Sequence, residues 1–99
     1  QRDLGTGRRQ PGAGLVIVQV RFFASLREAA GLGELALELP DRAGYDDLLA
    51  ALEARLGRAA MPALLGENVR IARNQALTGV PFVPADGDEI AFLPPVTGG

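Results

Sequence analysis

Ninety-nine residues, 47% hydrophobic and 22% charged, have the composition of one small globular domain. With no Cys and no His, disulfides, thiolate or imidazole metal sites and His-based acid–base or triad chemistry are excluded, so no metal site is expected. All ten basic residues are Arg, which also excludes Schiff-base chemistry, and residues 15–99 carry a net charge of −4, a poor match for nucleic acid and a better one for a protein with a basic surface.

Residues 1–14 (QRDLGTGRRQPGAG) carry a net +2 and almost nothing apolar, so the segment cannot offset its ordering entropy and reads as a loose, dispensable arm. It lacks the apolar core of a signal peptide, and no apolar run in the chain approaches the roughly 20 residues that span a bilayer. The expectation is therefore a cytoplasmic protein with no membrane partner.

Residues 15–23 (LVIVQVRFF) are β-branched and aromatic and predict a strand. Alternation puts Val16, Val18, Val20 and Phe22 on the core face and Ile17, Gln19, Arg21 and Phe23 on the other. Phe23 is the odd residue out, either an interface anchor or a half-covered edge aromatic. Residues 24–31 predict a short helical turn ending at Gly31, and residues 34–39 a strand with Leu35, Leu37 and Leu39 inward. The two strands then form a hairpin with a long connection.

Residues 45–56 (YDDLLAALEARL) predict the main helix, with Tyr45, Leu48, Leu49, Leu52 and Leu56 on one face, Gly44 as N-cap and Gly57 as the stop. Asp46, Asp47 and Glu53 lie on its solvated face, where nothing apolar would enclose an acid or base. A short helix is expected at 62–65 and a strand at 69–73. A turn follows at Asn74-Gln75, then a strand pair or meander over 76–83 and a last strand over 89–93. One Leu-striped helix must cover one face of a single mixed sheet. The buried set is then Val18, Val20, Phe22, Leu48, Leu52, Leu56, Ile90 and Phe92. Residues 15–93 form this α+β roll, consistent with a β-grasp, and pattern alone does not choose among the small rolls of that class.

Residues 94–99 are a tail, Pro94-Pro95-Val96-Thr97-Gly98-Gly99. Two prolines fix φ near −65° and force an extended exit. Gly98 and Gly99 have no Cβ, so the tip fits a narrow channel and brings a carbonyl close to a phosphate. A Gly-Gly pair taken alone is more simply read as a frayed end.

DGDEIAFLPPVTGG (Asp86 to Gly99), Asn74-Gln75 and VRFFASLRE (Val20 to Glu28) together resemble the small subunit of molybdopterin synthase, the MoaD-like sulfur carriers. The resemblance covers residues 17–99 and is weak over 57–70. It implies a ubiquitin-like β-grasp and a carrier that is not catalytic alone. A ubiquitin-activating-type adenylyltransferase would use ATP to adenylate Gly99. Sulfide equivalents would then leave a thiocarboxylate, and the tail, with Gly98 beside it, would donate sulfur to a pyranopterin in the large subunit. The implied assembly is a heterotetramer with that subunit, and no cofactor is bound by the carrier itself. The implied contact residues are Phe23, Leu77 and Leu93, with Pro94, Pro95, Val96 and Thr97 along the tail. The same chemistry serves related carriers for thiamine or cysteine synthesis, ubiquitin-like protein modifiers share the activation step, and a plain interaction module would need no reactive tail.

Overall fold

The computed structural model of the chain describes residues 14–95. β1 (Leu15–Phe22) buries Val16, Val18, Val20 and Phe22 and leaves the intervening residues exposed or half-buried. α1 (Ser25–Ala30) stops at Gly31, whose left-handed φ of 85° disfavours any side chain and whose N–H donates to the Arg27 carbonyl. β2 (Glu34–Pro40) returns antiparallel to β1. Its register, Val18 opposite Leu37 and Val20 opposite Leu35, puts both apolar rows in one layer.

α2 (Tyr45–Leu56) begins after Gly44, whose N–H donates to the Asp47 carboxylate at 2.8 Å. This is half of a capping box, because glycine has no side chain to return the bond. The helix ends at Gly57 (φ 94°), whose N–H donates to the Glu53 carbonyl. Leu48 and Leu52 are fully buried over the sheet. Leu56, expected in the same buried set, is only half-buried: it occupies the last turn of α2, at the margin of the cluster. A single 3-10 turn (Arg58–Ala60) leads into α3 (Met61–Leu64), which lies one residue earlier than the expected short helix and buries Met61 and Leu64.

β3 (Arg70–Arg73) and β4 (Ala76–Thr78) are joined by Asn74 and Gln75, both with positive φ (54° and 73°), the two-residue turn that matches the twist of paired strands. The expected strand pair over 76–83 is not formed: pairing stops at Thr78. Pro81 and Pro84 have no N–H for a ladder, and the segment is held by side chains instead. The Phe82 ring packs on Tyr45, with centroids 5.4 Å apart, and beneath the Arg73 guanidinium at 5.3 Å. β5 (Glu89–Leu93) lies between β1, to which it is parallel, and β3, to which it is antiparallel, giving the sheet order β2-β1-β5-β3-β4. Phe22 and Phe92 stack at 5.7 Å in the core beneath α2.

The Asp86-Gly87-Asp88 turn ties β5 to its neighbours. The Ile17 N–H donates to the Asp86 carboxylate, and the Gly87 N–H to the Ile17 carbonyl, both at 2.8 Å. Buried Asp88 accepts from the Arg73 guanidinium (2.8 Å), the Asn74 amide (2.9 Å) and the Ala85 N–H (2.8 Å). Burial alone pushes the Asp88 carboxyl up. The Ala85 N–H, the Asn74 amide and Arg73 outweigh it, and its pKa falls below the ordinary value. The stabilisation is therefore complete above the unfolded-chain value near about 4 and is lost as pH falls through the lower folded value. Asp88→Asn is expected to cost about 1–3 kcal/mol at neutral pH. It is also expected to flatten the acid limb of the stability curve, which urea melts from about pH 7 to about pH 3 read directly.

Candidate functional site

Strand pairing fixes which side chains share the face opposite α2. Leu93 pairs with Arg70, Ala91 with Ala72 and with Arg21, and Ala72 with Leu77. All of these alternate with the core residues Phe92, Ile90 and Ile71 and point outward. Phe23 continues β1 by one residue, its N–H donating to the Phe92 carbonyl at 3.3 Å, which keeps it on the same outer face. Phe23 is 38% exposed, Leu77 67%, and Leu93 is half-buried between them. Ala91 and Ala72 form a low floor, so the three larger side chains make one apolar band across β1, β5, β3 and β4.

Charges frame the band. The Arg21 guanidinium lies 5.3 Å from the Phe23 ring centroid, where a cation is attracted to the ring face, and pairs with Glu89 at 3.0 Å and Glu34 at 3.7 Å. Arg70 stands on the other side, opposite Leu93. Behind Phe23 the chain turns through Ala24 at φ 52° and ψ −127°, a strained backbone for a residue with a Cβ. The Ala24 carbonyl accepts from the Arg27 N–H at 3.0 Å, opening α1. An open cleft of about 440 Å³ lies there, with Arg21, Arg27 and Gly33 in its lining.

Because β1 and β5 are parallel, both reach their C-terminal ends at the same edge of the sheet. The tail therefore departs beside Phe23, with Pro94 half-buried and Pro95 exposed. Val96, Thr97, Gly98 and Gly99 lie outside the described residues, as does the arm before Gly14. Tyr45, whose pKa is raised by burial and then by the Asp46 charge, sits on α2, across the sheet from the band. Among the described residues no cluster of Asp and Glu is arranged to hold a metal ion, and no helix is long and apolar enough to cross a membrane.

Alternation alone places Phe23 and Leu93 opposite Phe22 and Phe92, as observed. The same alternation places Arg21 with Phe23 and Ala91 with Leu93, whereas Ala72 and Arg70 carry no local signal of belonging with them. The signal is the register of β5 against its two neighbours, which pairs residues far apart in the chain.

Residues 20–99 match the ThiS family. The chain belongs to the ThiS family. It is 38% identical over 88 residues to the molybdopterin synthase sulfur carrier subunit of Chlamydomonas reinhardtii, an alignment covering 83% of this chain and 98% of that one. Its fold is similar to that of small archaeal modifier protein 1 from Haloferax volcanii, with a TM-score of 0.72 and 26% identity over 82% of this chain and 99% of that one. It is also similar to a chain in the complex of subunits 1 and 2 of molybdopterin-converting factor from Helicobacter pylori, with a TM-score of 0.58, 29% identity, and coverage of 85% and 100%. These solved structures place this chain among the ubiquitin-like β-grasp carriers, the fold class expected from the sequence.

Proposed function

We propose that this chain is the sulfur carrier of molybdenum cofactor biosynthesis, acting as the small subunit of molybdopterin synthase. The observation that carries the reading is the parallel pairing of β1 and β5, which sets the root of a Pro-Pro-Val-Thr-Gly-Gly tail beside the outward apolar band of Phe23, Leu93 and Leu77. A partner that accepts the tail meets that band first. The likeness to sulfur carrier subunits over most of the chain supports it, and the Helicobacter pylori complex supports a large-subunit partner.

In this reading the Gly99 carboxylate attacks the α-phosphorus of ATP in an adenylyltransferase, and pyrophosphate leaves. The carboxylate, a poor electrophile, becomes an acyl phosphate anhydride. A sulfide equivalent adds to the carbonyl and AMP departs, leaving the thiocarboxylate. Its sulfur attacks the pyranopterin precursor in the large subunit, and hydrolysis returns the carboxylate. The carrier contributes a reactive end and a docking face, while its partners contribute the catalytic groups. The assembly is a heterotetramer in the cytoplasm, and ATP is consumed by the activating enzyme without a cofactor resident in this chain.

The structural likeness to a small archaeal modifier protein favours a second reading, in which activated Gly99 is joined to amines of other proteins. Reconstitution separates them. Carrier, activating enzyme, ATP and sulfide yield a thiocarboxylate about 16 Da heavier than the carboxylate by intact mass. Adding the large subunit and precursor then yields product. Gly-Gly remnants on target lysines in place of product favour the modifier.

Phe23→Ala tests the band. Aromatic interface anchors often carry about 2 kcal/mol or more, so affinity for the large subunit is expected to fall roughly 30-fold. Thermal stability is expected to change little. Parallel losses of affinity and melting temperature would instead make Phe23 a core residue.

A further inference from the structure

The two edges of the sheet are built differently. On β2 the outer face carries Glu34 and Glu38, the strand ends at Pro40, and Arg55 reaches from α2 to donate to the Ala36 carbonyl at 3.2 Å. Charge, proline and a capped carbonyl are the devices that keep a foreign strand off an edge. β4, the opposite edge, is Ala76-Leu77-Thr78 and carries none of them.

The backbone of β4 is presented for pairing. In a two-residue hairpin the closing pair, here Arg73 and Ala76, exchanges both backbone bonds, and the next pair turns its groups away from the hairpin. Ala72 spends those groups on Ala91 of β5. Leu77 turns its N–H and C=O to the open side of the sheet. Its side chain, 67% exposed, is the most exposed large apolar group among the described residues. Next to it a groove of about 470 Å³ runs between α3 and the segment after β4, walled by Leu65, Val69, Thr78 and Val80, with Glu67 and Arg70 also in its lining. Leu65 and Val80 are 51% and 53% exposed.

Position connects this edge to the tail. Ile71 pairs with both Thr78 and Phe92, so the end of β4 lies level with the end of β5, where the tail departs. A partner that takes the tail and covers Leu77 from the outer face also removes water from the Leu77 backbone. Unless it pairs those two groups, it leaves them stranded.

We propose that the large subunit adds an extended segment along β4 as a sixth strand, seating an apolar side chain in the groove between Leu65 and Val80. The inference rests on the large-subunit reading above and adds the mode of contact. Strand addition supplies backbone bonds, while alternate side chains supply selectivity.

The test uses the whole carrier and the purified large subunit. On complex formation the Leu77 amide is expected to exchange with solvent at least about tenfold more slowly. Leu77→Pro, which removes the outward N–H and no hairpin bond, is expected to bind about tenfold more weakly than Leu77→Ala. Leu65→Glu, at an exposed position that tolerates charge, is expected to weaken binding by a similar factor. Leu15→Glu, at the far end of the sheet, leaves binding unchanged. ATP–pyrophosphate exchange with the activating enzyme stays at the wild-type rate for Leu65→Glu and Leu15→Glu. Unchanged Leu77 exchange, with Leu65→Glu binding like wild type, overturns the strand addition even where Phe23→Ala confirms the partner. Loss of activation in Leu65→Glu with normal large-subunit binding overturns it too, by assigning the edge to the other enzyme. A wild-type carrier that binds no large subunit removes both the partner reading and this one.

Discussion

A carrier lengthened by one residue beyond Gly99 is expected to give neither ATP–pyrophosphate exchange nor product, while still binding the large subunit through the outer band. The extension converts the Gly99 carboxylate into an amide, which cannot be adenylated, and moves the new carboxylate about 3.5 Å further along an extended chain. Displacements of about 1 Å can already cost about 100-fold in rate. Gly98→Val separates the two halves of the tail. The added β-branched bulk restricts φ and ψ and fills a channel suited to residues without Cβ. Even when supplied as pre-formed thiocarboxylate, this variant is expected to transfer sulfur orders of magnitude more slowly, while binding falls only in part. Near-normal rates for the lengthened chain in both assays would falsify the carrier mechanism and leave a docking module with an inert end.

Leu52→Ala is the other large effect, and it acts on stability alone. Leu52 is fully buried and belongs to the same cluster as Leu48, Phe22 and Phe92, where α2 lies over the sheet. Truncation removes transfer free energy and leaves a cavity between helix and sheet, worth about 2–5 kcal/mol. For a domain of this size each 1 kcal/mol moves the melting temperature by about 4–8 °C, so a loss of roughly 8–40 °C is expected. Leu56→Ala, at a half-buried position in the last turn, is expected to cost distinctly less. Equal losses at both positions would mean that the helix is anchored along its whole length.

How far such effects can be read from sequence depends on whether the determinant is local. The bounds of α2 are legible because Gly44 and Gly57 bracket an unbroken Leu stripe. The faces of β1 and β2 are legible because burial on one side imposes a period of two. Leu56 misleads because the stripe continues to the last residue while the cover does not. The segment after Thr78 misleads for a different reason. Its Val and Phe residues have strand propensity, yet Pro81 and Pro84 deny it a ladder, and Phe82 is held by Tyr45 and Arg73 instead. Arg73 reads as an ordinary strand charge, and nothing nearby marks it as the partner of Asp88, 15 residues further on. The band is half legible: Phe23, Leu93 and Ala91 follow from alternation, Leu77 only from family resemblance, and Ala72 from neither.

Under the proposed function, the central place of β5 would make the reactive end conditional on a completed fold. β5 joins the hairpin of β1 and β2 to that of β3 and β4, since neither hairpin pairs directly with the other. It is also the last strand made and the one from which the tail emerges. Until it threads between its neighbours, Phe92 is missing from the core and Leu93 from the outer band. The pairing of β1 with β5 spans almost all of the described residues, and such long-range contacts form slowly. A nascent or misassembled chain can therefore carry the Gly-Gly sequence without the outer band proposed above as its docking face. The strand that delivers the tail also certifies the body, so a partner that reads both surfaces together engages only finished molecules.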